Sequence, residues 1–159
     1  VVSADVPEPA AGHPGPASIA LPAAIRAALI AYARAEYPNE MCGVIAGSAD
    51  PAADGHALEW FPARNEAASP LRYVIHPDDA YRIFRTIDDA DLAYWAVVHS
   101  HVRSPAVPSP TDLGLALFPE ALYVLVSLAD SEADPVTGAP SVRAWRIVDG
   151  SSIEVELTG

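Results

Sequence analysis

His99 and His101 stand one residue apart at the end of the apolar run Ala93 to Val98, and Ser109 and Asp112 follow within the stretch His99 to Asp112, HSHVRSPAVPSPTD. Side chains alternate between the faces of a strand, so the two imidazoles project to one side while Ser100 projects to the other. Two nitrogens then converge on one point. A carboxylate from Asp112 closes a three-ligand set if the intervening loop returns, and three protein ligands leave the fourth tetrahedral position that catalytic zinc requires. Each residue also has a plainer reading. A His-x-His pair alone is commonly two polar residues at a strand end. Ser109, Pro110 and Asp112 also spell a helix start, with a serine cap, a proline at the first helical position and a capping-box acid at the third.

Those readings coexist, and the spacing carries more than either. His-x-His, seven residues, Ser, two residues, Asp resembles the signature of the JAMM (MPN-plus) metallopeptidases. That family also has a glutamate well upstream, matched here by Glu40 in the run Glu40-Met41-Cys42-Gly43-Val44-Ile45-Ala46-Gly47. The resemblance extends from about Leu21 to Leu157 and is strongest to small bacterial members that process ubiquitin-like sulfur carriers. It implies one zinc ion per domain, held by His99, His101 and Asp112, which lowers the pKa of a water to about 7. It also implies Glu40 as general base and Ser109 as oxyanion donor. The substrate it implies is the amide bond after the Gly-Gly tail of a ubiquitin-like sulfur carrier protein, with cysteine or another small amine released.

The elements that must position these residues follow from periodicity. Ile25, Ala28, Leu29 and Tyr32 recur at helical spacing within Pro22 to Tyr37, and Pro38 ends that helix. Val44 to Ala46 reads as a buried strand and Ala57 to Ala63 as another, separated by a loop from Ser48 to His56. Asn65 to Pro70 is a loop placed to border a substrate groove, and Tyr73 to Ile75 is a short strand. Pro77 to Asp88 reads as a helix, with Ala80, Ile83, Phe84 and Ile87 as its core face. Thr111 to Leu117 is helical, and Leu122 to Leu128 is apolar enough for a strand covered on both faces. Val142 to Val148 and Ser151 to Leu157 flank Asp149-Gly150, the strongest short hairpin signal. The sum is an α/β class single domain, a mixed sheet of about six strands with about three helices. The family resemblance adds that the sheet is curved and that the metal lies at its edge.

Several classes are excluded or demoted. The chain of 159 residues is long enough for one domain with a real core. A net charge of -12 opposes sequence-blind attraction to nucleic acid, whose phosphates attract Lys and Arg. Cys42 is the single cysteine, so no intrachain disulfide forms and cytoplasmic residence is the default. As a fourth ligand Cys42 would close the site, and it reads instead as a small core residue. His76 reads as a turn residue, and His13 and His56 as solvated. No run is long enough to span a bilayer. A cupin-type metal site wants a glutamate three or four residues after His-x-His, where Ser104 and Pro105 stand. Residues 1–18, rich in Pro, Ala and Gly, read as a flexible tail or linker, with the metallopeptidase domain at 19–159 and its first element starting near Leu21. A catalytically silent MPN-type binding scaffold is the alternative function, and oligomeric state is left open.

Overall fold

A computed structural model describes residues 15–159. Most of the expectation of a tail therefore lies outside the described residues. At its inner end the chain is ordered earlier than Leu21: Ser18–Ala20 form β1, parallel to the last strand with Ser18 opposite Glu156. Three residues between prolines carry too little alternation to announce a strand, and Ile19 alone packs toward the core.

Helix α1 spans Ala23–Glu36 and leads into β2, Cys42–Gly47. Strand β3 is Ala57–Ala63, α2 is Pro77–Asp89, and β4 is Ala93–His101. Helix α3 is short, Pro110–Leu115, and β5, Leu122–Ser127, is buried along its whole length. Strands β6, Ser141–Val148, and β7, Ser151–Thr158, complete the chain. Asp149 and Gly150 join them with φ of 51° and 74°, the two positive values that a type I′ hairpin turn requires.

The seven strands form one sheet in the order β1-β7-β6-β5-β4-β2-β3. The β4–β5 pair is parallel and the two neighbours of that pair, β2 and β6, run antiparallel to it. Alternation along β5 sorts the core into two layers. Leu122, Val124 and Val126 pack with Ile25, Leu29 and Ala33 of α1, whereas Tyr123 and Leu125 pack on the opposite face beside Leu113 of α3. Ile83 and Ile87 of α2 cover Cys42 and Val44 on that same second face. No helix among the described residues is long and apolar enough to cross a membrane.

The expected strand at Tyr73–Ile75 is absent. In its place is a single bridge between Asn65 and Ile75. The Asn65 side chain explains this, because its Oδ1 accepts the N–H of Val74 at 3.0 Å, the group that a strand partner would otherwise take. Tyr73 turns inward instead.

Candidate metal centre

Strand β4 delivers both histidines to the second face at its C-terminal end. Cys42 of β2 lies opposite His99, and Leu125 of β5 lies opposite it on the other side. The site therefore sits at the end of an interior strand. The edge position implied by the family resemblance is corrected, since β2 and β3 extend the sheet beyond β4. Strand alternation holds residue by residue. His99 and His101 are 1% and 5% exposed, and Ser100 points to the other face, where its Oγ accepts the backbone N–H of Met41 at 2.8 Å. That bond, with Ser100 N–H donating to the Met41 carbonyl at 3.1 Å, fastens the segment carrying Glu40 to the strand carrying the histidines.

Asp112 arrives from the first turn of α3. The Ser109 backbone N–H and hydroxyl both donate to Asp112 Oδ2 at 2.7 Å, and Ser109 Oγ accepts the Asp112 N–H at 3.2 Å. The helix cap and the ligand position are thus one structure. The capping bonds use Oδ2, and Oδ1 faces His99 Nε2 at 3.2 Å. Oδ2 thus serves the cap and also faces His101, while Oδ1 is left to face His99 alone.

His99 Nε2 lies 3.2 Å from His101 Nε2, and His101 Nε2 lies 3.3 Å from Asp112 Oδ2. Tetrahedral zinc, with ligands about 2.0 to 2.1 Å away, places neighbouring ligand atoms roughly 3.3 Å apart. His99, His101 and Asp112 form a group able to hold a metal ion, and their spacing fits zinc. His101 Nδ1 lies 2.7 Å from the Pro105 carbonyl. Donation of its proton there leaves Nε2 as the lone-pair nitrogen, the usual outer support of a metal-binding histidine. His99 lacks such support, because its buried Nδ1 has no hydrogen-bond partner. Tyr73 holds that ring by stacking, with centroids 4.5 Å apart and planes 21° from parallel.

Burial and mutual contact set the charges of the three groups. Burial lowers the His99 pKa against the pull of Asp112, favouring the neutral ring. For His101 burial acts the same way, but Asp112, the Pro105 carbonyl and Glu40 outweigh it and raise its pKa. Burial also opposes ionisation of Asp112, yet the bonds from His101, His99 and Ser109 hold its carboxyl well below the usual range.

Glu40 precedes β2 and is 5% exposed. Together with His101, Ser109, Arg103 and Leu71 it lines a groove of about 560 Å³. Burial pushes its carboxyl up to about 7, with His101 pulling down and Asp112 pushing further up. Its backbone is fixed by Asn65, whose Nδ2 donates to the Glu40 carbonyl and to that of Arg72, each at 3.0 Å. Asn65 Oδ1 takes the N–H groups of Ala67 and Val74, so all four hydrogen-bonding positions of this amide are used.

The structure thus brings together the five residues named from the sequence. Tyr73, Asn65, Ser100 and the Pro105 carbonyl support them, and no spacing rule announces these four. Cys42 is buried, its Sγ 3.6 Å from the Arg64 carbonyl. Burial and nearby acids push its thiol up to about 12, as befits an inert core residue. His76 caps α2 by accepting the Asp78 N–H, His56 is exposed, and His13 lies outside the described residues.

Residues 22–148 match the family described as prokaryotic homologs of the JAB domain. The chain is 36% identical over 127 residues to the CysO-cysteine peptidase of Mycobacterium tuberculosis, covering 80% of this chain and 81% of that one. It is 32% identical over 114 residues to the desampylase of Haloferax volcanii, covering 69% and 80%. A solved structure from Desulfitobacterium hafniense superposes with a TM-score of 0.73 at 26% identity, covering 87% of this chain and 90% of that chain. One from Salinibacter ruber gives 0.61 at 29%, covering 87% and 89%. With the family matched across most of its length and a His-His-Asp group able to hold a metal ion at the end of β4, the chain belongs to the prokaryotic JAB-domain family, the JAMM-like hydrolases.

Proposed function

We propose that the protein is a zinc-dependent peptidase that hydrolyses the amide bond after the C-terminal Gly-Gly of a ubiquitin-like sulfur carrier, releasing cysteine or another small amine. The observation that carries this reading is the closure of His99, His101 and Asp112 at 3.2 to 3.3 Å in a site that Glu40 also faces. The peptidase and desampylase relatives support the substrate class by their names. Zinc held by the three ligands would supply Lewis acidity toward water and the scissile carbonyl.

The chain's own groups manage the protons. Ionised Glu40 takes one from the attacking water, whose oxygen bonds to the glycine carbonyl carbon. As the C–N bond breaks, Glu40 returns that proton to the leaving nitrogen, and the water's second proton passes from the new carboxylic acid to solvent or the freed amine, leaving the carrier with its terminal carboxylate. A base with a pKa near the operating pH suits both transfers. Ser109 holds Asp112 in the resting site. Its oxyanion role requires the hydroxyl to leave Oδ2, which keeps the backbone N–H of Ser109 as partner. We expect Ser109→Ala to lower kcat about 10²- to 10³-fold at saturating zinc, with about 1 kcal/mol of stability lost with the cap. A loss repaired fully by excess zinc would confine Ser109 to positioning Asp112.

Glycine has a physical reason on the substrate side: without a side chain, its backbone approaches a buried site closely. Intact-mass analysis of a carrier ending Gly-Gly-Cys tests the proposal. Loss of that cysteine alone is the expected result. Cleavage of a lysine-linked conjugate with the Gly-Gly-Cys carrier untouched would move the assignment to a general isopeptidase, and no cleavage of either would favour a silent scaffold.

A further inference from the structure

We propose that Arg103 is the receptor for the free α-carboxylate of the released residue, making the enzyme selective for a single terminal amino acid. The inference rests on the hydrolase reading above and adds a specificity determinant to it.

Arg103 follows His101 by two residues and lines the same groove as Glu40, His101 and Ser109. It supplies the one cation among the residues lining that groove, and it makes no ion pair with any described residue. The loop beneath it is anchored on both sides. His101 Nδ1 meets the Pro105 carbonyl at 2.7 Å, Ser127 Oγ donates to the Ser104 carbonyl at 2.7 Å, and Trp145 Nε1 donates to the Ala106 carbonyl at 2.9 Å. Val102 and Ala106 are buried while Arg103 is exposed. A rigid backbone thus presents a free guanidinium beside the site.

The chemistry calls for such a group. A released α-amino acid carries its carboxylate one carbon from the scissile nitrogen, in a chain of net charge -12 and in a groove that already contains Glu40. A guanidinium binds a carboxylate through two parallel charge-assisted bonds, a geometry that a neutral carboxamide cannot match. A lysine-linked conjugate presents no carboxylate at that distance, so the same residue discriminates against it.

The test compares two carriers, one ending Gly-Gly-Cys and the other Gly-Gly-cysteinamide. Wild-type enzyme should prefer the acid about 10- to 100-fold in kcat/KM. Arg103→Gln should lose that preference, with the acid carrier slowed far more than the cysteinamide carrier, and Arg103→Lys should restore part of it. Arg72, exposed in a mostly apolar cleft that Asp112 also lines, is the alternative cation, and Arg72→Gln should keep the preference. Equal rates on acid and amide by wild-type enzyme would overturn the proposal, as would an undiminished preference in Arg103→Gln. Failure of wild-type enzyme to cleave either carrier would instead sink the hydrolase reading, and the Arg103 proposal with it.

Discussion

If Glu40 is the general base proposed above, Glu40→Gln is expected to bind zinc as wild type does and lose about 10²- to 10⁴-fold in kcat, the usual cost of removing such a base. The side chain is 5% exposed and burial holds its carboxyl up at about 7, so the wild-type rate should climb with pH through that region and flatten above it. The residual rate of the variant should lack this limb. Stability supplies a second readout with its own sign. Because the folded-state pKa is raised above the ordinary 4.5, the folded protein holds this proton more tightly than the unfolded one. Ionising Glu40 therefore costs stability as pH rises from 4.5 to about 7, at about 1.4 kcal/mol per pKa unit. The penalty is absent below that window and complete above it. Metal-free Glu40→Gln should accordingly melt higher than wild type at pH 8 and alike at pH 4. Wild-type turnover by the zinc-loaded variant would remove Glu40 from the mechanism.

The second large effect is loss of the metal. Replacing both His99 and His101 with alanine leaves one carboxylate of a three-ligand set, and purified protein should then contain essentially no zinc and show no hydrolysis above background. The imidazoles are also buried, and His99 stacks on Tyr73, so this variant loses packing as well. Asp112→Asn separates the two effects. It keeps the side-chain volume and an acceptor for the Ser109 N–H, yet it removes the charge that opposes the metal's own. It should fold but melt below wild type, because the ionised carboxylate that His101, His99 and Ser109 stabilise is gone, and it should bind zinc more weakly. Full zinc occupancy in a folded double variant would place the metal elsewhere.

Why some of this site was legible in the chain and some was not has physical roots. Strand alternation alone set His99 and His101 on one face and Ser100 on the other, because period-two geometry is local. Asp149-Gly150 fixed its hairpin for the same reason. Glu40 is different: nothing local links it to His99, and only the antiparallel pairing of β2 with β4, Cys42 opposite His99, brings it to the site. The family resemblance reached Glu40 where periodicity could not. Tyr-Val-Ile is a β-favouring run that predicts a strand at Tyr73, but the Asn65 side-chain amide takes the Val74 N–H and leaves Tyr73 to stack on His99. Strand β1 is not legible in the sequence because it is held by backbone pairing with β7, which leaves no side-chain pattern in three residues.

Zinc reconstitution of the metal-free protein decides whether His99, His101 and Asp112 make a catalytic zinc site, with hydrolysis of a Gly-Gly-Cys-ended carrier read against zinc added per chain. A single site built by His99, His101 and Asp112 predicts no activity before addition, a linear rise, and a plateau at one equivalent. Full activity in protein shown by elemental analysis to be free of metal would contradict it.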